Sequence, residues 1–158
     1  MDNHVVAAAK PEDKALVSAA LKLLARRDFS RSEFISRLTS AEFGKEDVEA
    51  AADWCHEKGF LNETRFTESA SRRLGAKFGA KRVAQTLRQK GVAEEQVSAA
   101  VLTLNESEQD RARALWTRKF GKIAESADEK FRQIRYLQSR GFSFSTVKLV
   151  LAEAADDS

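Results

Sequence analysis

Few residues in this chain have the types and the spacing that catalysis requires. Cys55 and His56 are the only pair that suggests a nucleophile and its base. Adjacent residues on a helix point about 100° apart, so these two side chains cannot face each other. Cys55 also falls at a position where equivalent helices carry Leu104 and Ala154, which indicates a small buried side chain. With His4 as the only other histidine, a catalytic triad or a histidine-based metal site lacks its components.

Carboxylate pairs and glycines carry no stronger chemical signal. The pairs Glu46-Asp47 and Glu94-Glu95 fall just inside predicted helix starts, where a favourable interaction with the helix dipole explains them. The glycines never form the phosphate-binding pattern G-x-x-x-x-G-K-[ST]. The sequence therefore predicts a protein that is not an enzyme and that uses no metal and no cofactor.

Basic residues are the more informative set. Several occur in pairs seven residues apart, on helix faces opposite the apolar side chains, and so predict solvent-facing basic stripes. The candidate binding residues are Arg65, Arg72, Lys81, Arg88, Arg111, Arg118, Arg132 and Arg135. Such a surface could meet a polyanion or an acidic protein, although an ordinary solvated face is the alternative. Few aromatic residues lie among these charges, so base stacking is not the expected mode of binding.

The composition predicts that helices position these residues. The 158 residues include one proline, 25 alanines and 14 leucines, against 13 valines and isoleucines together. Helix formers therefore outnumber β-branched apolar residues, which favours an all-α fold. The net charge is +3, and residues 62–104 are the basic part, with eight Lys and Arg against four Asp and Glu.

The same composition excludes several classes of protein. Cys55 is the only cysteine, so a disulfide scaffold and a zinc cluster are impossible. No apolar run is long enough to span a membrane, and the N-terminal residues lack the features of a secretory signal. We therefore expect a cytoplasmic protein with no membrane partner.

One segment occurs three times along the chain. Leu38, Leu87 and Leu137 are 49 and 50 residues apart, and apolar residues recur at matching positions after each of them. The matching sets are Phe43, Val92 and Phe142; Val48, Val97 and Val147; Ala51, Ala100 and Val150; and Ala52, Val101 and Leu151. This spacing predicts the same amphipathic helix in all three copies.

Apolar periodicity predicts two more helices before it in each copy. The sequence thus predicts nine helices in three tandem three-helix repeats, which resemble helix-turn-helix units and form an elongated, curved array. The predicted repeats are residues 12–61, 62–104 and 105–154. A flexible tail, residues 1–11, and an acidic tail, residues 155–158, flank them. No long apolar stripe is left for a partner copy, so we expect a monomer.

Helix ends are marked by capping residues. Ser30 and Ser126 each begin an S-x-x-E capping box before the middle helix of the first and third repeats. Asn62 and Asn105 are predicted to cap the first helices of the second and third repeats.

The turn after each middle helix also has a signature. Gly91 and Gly141 are predicted to end the middle helices of the second and third repeats in a left-handed conformation. Glu42 stands at that position in the first repeat, so its turn must close differently or carry a strained residue.

Two large aromatic residues have specific predictions. Trp54 lies off the apolar register of its helix, where the other copies have Thr103 and Glu153, and it is predicted to pack between repeats. The alternative is an exposed contact residue of the kind enriched in binding hot spots. Phe131 is predicted on the apolar face of the third middle helix.

The segment that joins the first and second repeats, together with motifs further along the chain, carries a family resemblance. The segment from Trp54 to Phe66, followed by Arg72-Arg73, residues 79–83 and 90–92, resembles the RecX family of recombination regulators. The resemblance covers about residues 13–154 and includes the closing segment from Arg140 to Ser143.

The resemblance implies a non-enzymatic regulator of the RecA recombinase. Such proteins bind in the helical groove of the RecA filament on single-stranded DNA, with roles in recombination, DNA repair and the SOS response. They lower ATP hydrolysis, strand exchange and co-protease activity. The partners it implies are the RecA filament and the single-stranded DNA within it. The alternative is a tandem helix-turn-helix protein that binds nucleic acid directly through the same basic residues.

Overall fold

The fold of the chain is all-α, as predicted. The computed structural model describes residues 7–158, which form eight helices and no strand. Residues 1–6 of the predicted N-terminal tail lie outside the described residues. The helices are α1 (Lys14–Arg26), α2 (Arg31–Ser40), α3 (Lys45–Glu57), α4 (Glu63–Gly75), α5 (Ala80–Gln89), α6 (Glu94–Lys119), α7 (Ala127–Ser139) and α8 (Phe144–Asp156).

The threefold apolar register is confirmed by burial. Leu38, Leu87 and Leu137 are all buried, as are the three valines that follow each of them by ten residues. The helices that begin after the three turns, α3, α6 and α8, therefore present the same apolar face to their neighbours.

The predicted count of nine helices is wrong for the part of the chain that is described. The last helix of the second repeat and the first helix of the third are one continuous helix, α6. Asn105, predicted as a cap, lies inside this helix. The sequence has no proline or glycine between Gly91 and Gly121, and one asparagine in a helix interior costs well under about 1 kcal/mol, so no residue there breaks the helix.

The chain forms two compact units. Among the described residues, the first comprises residues 7–67 together with Lys90–Val92, and the second comprises Glu68–Gln89 together with Ala93–Ser158. In the first unit α1, α2 and α3 pack against one another. In the second, α6 packs against α5, α7 and α8. No helix among the described residues is both long and apolar enough to cross a membrane.

Cys55 and Trp54 both belong to the core of the first unit. Burial raises the pKa of the Cys55 thiol to about 11, which confirms a buried apolar position. The predicted packing of Trp54 between repeats is wrong, because the turn after α3 folds back onto the helix. The amides of Phe60 and Leu61 donate to the Cys55 carbonyl at 2.8 and 3.1 Å. Phe60 thereby meets the Trp54 ring edge-on at 5.8 Å.

The caps of the middle helices follow the sequence signals. The hydroxyl of Ser30 accepts from the amide of Glu33 at 3.1 Å, and Ser126 accepts from the amide of Glu129 at 3.1 Å. Asn62 caps α4 by accepting from the amide of Arg65 at 2.9 Å. These predicted N-caps are confirmed.

The turn after α2 closes in the same way as the turn after α7. In the third repeat Gly141, at φ 90°, donates its amide to Gln138, and Phe142 donates its amide to Leu137. In the first repeat Glu42 donates to Thr39 and Phe43 to Leu38, so Glu42 adopts φ 71°. The prediction of a strained residue is confirmed, because a side chain stands where the Schellman turn favours glycine.

Phe131 departs from its prediction. It is 61% exposed at the solvent side of α7, whereas Leu137 of the same helix is fully buried. The N-terminal turn of α7 begins four residues before Phe131, and Gln133 rather than Phe131 faces the core, where it accepts from Trp116 Nε1 at 2.9 Å. The apolar face of this helix is therefore rotated away from Phe131.

Candidate interaction surface

The predicted basic residues lie on four helices. All of them except Arg111 are exposed. Arg65 and Arg72 are on α4, Lys81 and Arg88 on α5, Arg111 and Arg118 on α6, and Arg132 and Arg135 on α7. Their environments differ, and the difference decides which of them have a charge free to meet a partner.

Arg72, Lys81 and Arg132 are free of intramolecular partners. Each side chain is exposed, and none makes a hydrogen bond or an ion pair with another described residue. Arg73 and Lys77 are exposed beside Arg72 in the same condition, although the sequence prediction did not include them. The adjacent Arg72-Arg73 pair in the sequence was a signal from which Arg73 could have been predicted as a binding residue.

Arg65 and Arg88 are held by carboxylates. Nε of Arg65 donates to Asp28 at 2.7 Å, which ties α4 to the segment before α2 in the first unit. Arg88 donates through Nε and Nη2 to both carboxylate oxygens of Glu94, at 2.9 and 2.7 Å. These hydrogen bonds raise the pKa of Arg88 and lower the pKa of Glu94. Both pairs are exposed, so salt screens them readily.

The prediction that Arg111 lies on a solvent-facing stripe is wrong. Its guanidinium is half-buried and donates to the carbonyl oxygens of Gly75 and Phe78, both at 2.7 Å, and of Leu104 at 2.9 Å. Its Nε donates to the hydroxyl of Ser107 at 3.0 Å. Burial lowers its pKa, and a nearby glutamate offsets this in part. Arg111 satisfies the carbonyl groups at the end of α4, which α6 covers.

Arg118 and Arg135 keep most of their charge accessible. Nη2 of Arg118 donates to the carbonyl of Ala76 at 3.3 Å, and its side chain is otherwise exposed. The guanidinium of Arg135 lies 5.0 Å from the centre of the exposed Phe131 ring. A cation over an aromatic face stays available to anions at its other side.

Lys81 and Arg88 line one groove of about 670 Å³ in the second unit. Glu108 of α6 lies in this groove and joins the starts of two helices. One of its oxygens accepts from the amide of Ala80 at 3.1 Å, and the other accepts from the hydroxyl of Thr146 at 2.7 Å. The carboxylate is thus committed to two helix N-termini, so Glu108 pairs with neither cation: Arg88 is held by Glu94, and Lys81 faces solvent.

Arg132 lines a second, shallower groove of about 360 Å³ with Lys119 and Lys122. Glu125 and Glu129 also border it, and the Glu129 carboxylate accepts from the amide of Glu125 at 2.8 Å. The structure therefore places three of the eight predicted residues, Lys81, Arg88 and Arg132, in two grooves, and it adds Lys119 and Lys122 to the second. The other five predicted residues line neither groove. No group of three or more His, Cys, Asp and Glu residues within residues 7–158 is placed to hold a metal ion.

Comparison with known proteins identifies the family. The family model described as the second three-helix domain of RecX matches residues 62–101, and the third three-helix domain matches residues 106–151. A protein named Regulatory protein RecX from Chromobacterium violaceum is 35% identical over 146 residues, which cover 92% of this chain and 95% of the relative. The chain belongs to the RecX family. A RecX relative from Leptothrix cholodnii is 39% identical over 137 residues and covers 87% of each chain.

Solved structures carry the same fold. A crystal structure of RecX from Lactobacillus salivarius superposes with a TM-score of 0.75 at 17% identity, and it covers 89% of this chain and 95% of that one. A second, described as the crystal structure of regulatory protein RecX, gives a TM-score of 0.74 at 20% identity. Together with the RecX domain matches, this likeness confirms tandem three-helix repeats.

Proposed function

We propose that this chain is a cytoplasmic regulator that binds, as a monomer, in the helical groove of the RecA filament on single-stranded DNA. It lowers ATP hydrolysis, strand exchange and co-protease activity by occupying that groove, while the chemistry stays in RecA. Membership of a family whose relatives are named regulatory proteins supports the regulatory role. The observation that carries the proposal is the set of exposed, unpaired cations on the second unit, Arg72, Lys81 and Arg132.

A filament of protein and DNA is a suitable partner for such a surface. Cations that are free of internal carboxylates lose no intramolecular pair on binding, and they steer association with a negatively charged partner. Cations on three different helices can meet several groups at once, and such multivalency strengthens individually weak contacts. We place the main contact on Arg72, Lys81, Arg88, Arg118, Arg132 and Arg135.

Direct DNA binding by the helix-turn-helix pairs is the second candidate. In such motifs the N-terminal residues of the second helix contact base edges in the major groove. Here the first turn of α3 contains exposed Glu46 and Asp47, and the first turn of α6 contains exposed Glu94 and Glu95. Carboxylates at these positions repel the phosphate backbone, which favours contacts by the cations on α4, α5 and α7 over base reading.

Steady-state ATP hydrolysis by RecA on single-stranded DNA, with this protein titrated in, tests the proposal. We expect inhibition at substoichiometric to stoichiometric amounts, together with weak binding to the same DNA without RecA. Undiminished hydrolysis would overturn it. Tight RecA-independent DNA binding that falls by roughly 10³–10⁵ between about 50 and 200 mM salt would favour the second candidate.

A charge-reversal variant tests the location of the surface. R72E/K81E/R88E should abolish inhibition while the helical content measured by circular dichroism is preserved. The matched control, K14E/K22E/R26E, reverses three exposed cations on α1 of the first unit and changes the net charge equally. Equal loss in both variants would show that net charge alone matters, and full inhibition by R72E/K81E/R88E would refute this surface.

A further inference from the structure

The third repeat contains an apolar groove that the proposed function does not use. It is bordered by α7, by α8 and by the loop that follows α6. Its volume is about 480 Å³, which is within the usual range of binding pockets. The side chains that give it its character are Trp116, Ile123, Ile134, Phe144, Val147 and Leu151. Two of these, Ile123 and Phe144, are 41% and 53% exposed, so apolar surface is left open to solvent.

The exposed phenylalanine at the edge of this groove is not required by the fold. Phe144 is the first residue of α8, and the first residues of the corresponding helices α3 and α6 are Lys45 and Glu94. All three positions are exposed. The same helix start is therefore built twice in this chain with a charged residue, whereas the phenylalanine at the third copy leaves about half of its apolar surface in solvent.

The charge around the groove is one-sided. Lys130 and Lys148 line it, and none of the described residues that line it is an Asp or Glu. Lys148 also departs from the other repeats, which have Glu49 and Ser98 at the equivalent position. Its Nζ lies 5.9 Å from the centre of the Phe144 ring. The third repeat thus acquires an aromatic and a cation side by side at one rim of the groove.

These features specify the chemistry of an occupant. A groove walled by helices, in a described chain without strands, offers no open sheet edge for an extended peptide to pair with. It can accept the side chains of a helix at positions i, i+3 or i+4, and i+7. The lysines at the rim favour carboxylates beside those apolar side chains.

We propose that this groove binds an amphipathic α-helix of a partner protein, with its apolar face against Phe144, Val147 and Leu151 and its flanking carboxylates at Lys130 and Lys148. The proposal does not depend on RecA being the partner, because none of the cations of the interaction surface lines this groove. The surfaces adjoin, since Phe144 also borders the groove of Lys81 and Arg88, and Ile123 borders that of Arg132.

The variant that tests it borrows residues from the second repeat. F144E/K148S gives α8 the residues that α6 has at the same positions, and a glutamate in the first turn of a helix is favourable. The matched control is L102D. Leu102 lies on α6, outside the groove, and at 69% exposure it is the most exposed large apolar side chain of the described residues. The substitution introduces the residue that the first repeat has there, Asp53. Both variants are expected to unfold at the wild-type temperature.

The probe is a fluorescein-labelled synthetic helix of about 18 residues, or five turns, with leucines on one face and glutamates beside them. Fluorescence anisotropy should show micromolar binding to the full-length protein and to L102D. F144E/K148S should bind about tenfold more weakly or worse, as for loss of a hot-spot side chain. A peptide with glutamine in place of glutamate should bind several-fold more weakly at low salt. Equal binding by wild type and F144E/K148S, or by both peptides, would overturn the proposal.

Two-dimensional ¹H–¹⁵N spectra locate the bound peptide. The chain has two tryptophans, and Trp116 lines the groove while Trp54 is buried in the first unit. The indole N–H signal of Trp116 should shift on titration and that of Trp54 should not, with the assignment made on W54F. Sedimentation velocity of the wild type without peptide is the second arm. Self-association that F144E/K148S abolishes would make a second copy the occupant and refute the partner helix.

Discussion

Ser30 donates its hydroxyl proton to the carbonyl oxygen of Lys90 at 2.7 Å, across 60 residues of sequence. The amide of Gly79 donates to the carbonyl of Arg140 at 2.8 Å. Ser30 and Gly79 stand at the same position of the first and second repeats, and Lys90 and Arg140 at the same position of the second and third. The start of a middle helix is therefore bonded to the turn after the next middle helix at two junctions. At the first junction, between α2 and the turn after α5, the donor is the Ser30 side chain; at the second, between α5 and the turn after α7, it is the Gly79 backbone.

The double role of Ser30 predicts the effect of removing its hydroxyl. S30A should lower the free energy of unfolding by about 2 kcal/mol, since it removes an N-cap and the hydrogen bond to the part-buried carbonyl of Lys90. S126A, whose serine makes the same cap bond at an exposed site, should cost about 1 kcal/mol. Urea unfolding followed by circular dichroism measures both, and equal losses would contradict a role for the bond to Lys90.

The close contact of Gly79 with the turn after α7 can be tested by adding a side chain at this position. A Cβ at this position would lie 2.3 Å from the carbonyl oxygen of Gly141, which is backbone and cannot turn aside. G79A should therefore lower the free energy of unfolding by about 3 kcal/mol. G44A is the control, because its Cβ would meet only Asp47 Oδ2 at an ordinary 3.5 Å, and it should cost a few tenths of a kcal/mol. A G79A protein as stable as G44A would disprove the close backbone approach.

Glu42 predicts a stabilising substitution. It holds φ 71° where the equivalent turns of the second and third repeats use glycine. E42G should raise the free energy of unfolding by about 1 kcal/mol, because glycine adopts this conformation without strain. E42A retains the Cβ and should leave stability near the wild-type value. Thermal unfolding of the wild type, E42G and E42A measures these differences. A destabilised E42G would mean that the glutamate side chain has a stabilising contact.

Local features of the fold were predictable from the sequence, and features set by tertiary packing were not. The caps at Ser30, Asn62 and Ser126 depend on residues within one helical turn, so their sequence patterns sufficed. The fusion of two predicted helices into α6 accompanies contacts of this helix with α5, α7 and α8, and no local signal at Asn105 reports such contacts.

The candidate surface shows the same division. Periodicity placed seven of the eight basic residues at solvent, but it could not tell which are paired. Arg65 meets Asp28 from 37 residues away, and Arg111 reaches carbonyl groups 33 and 36 residues back. Heptad spacing assigned Arg111 to a stripe, whereas the unsatisfied carbonyls at the end of α4 draw it inward. Pairing across the chain is a property of the fold and is invisible to spacing.

Glu33 predicts a pH-dependent contribution to the stability of the first unit. Its carboxylate accepts from Nζ of Lys90 at 2.6 Å and from Nη1 of Arg27 at 3.2 Å. Burial alone raises the pKa of Glu33, but these hydrogen bonds and charges outweigh it, so the pKa lies below its ordinary value of 4.5. A carboxyl with a lowered pKa in the folded state stabilises the protein above the unfolded-state pKa, and the stabilisation is lost as pH falls through the folded-state value.

The E33Q variant isolates this contribution. At pH 7 it should unfold with a free energy about 2 kcal/mol lower than the wild type, because the charge-assisted bonds to Lys90 and Arg27 are lost. The difference should shrink as the pH falls below 4.5, where the wild-type carboxyl takes up its proton. Urea unfolding of both proteins at a series of pH values measures it. E94Q, which breaks an exposed pair with Arg88, should show a smaller difference that added salt removes. A difference for E33Q that stays constant with pH would show that the ionised form of Glu33 does not stabilise the junction with Lys90.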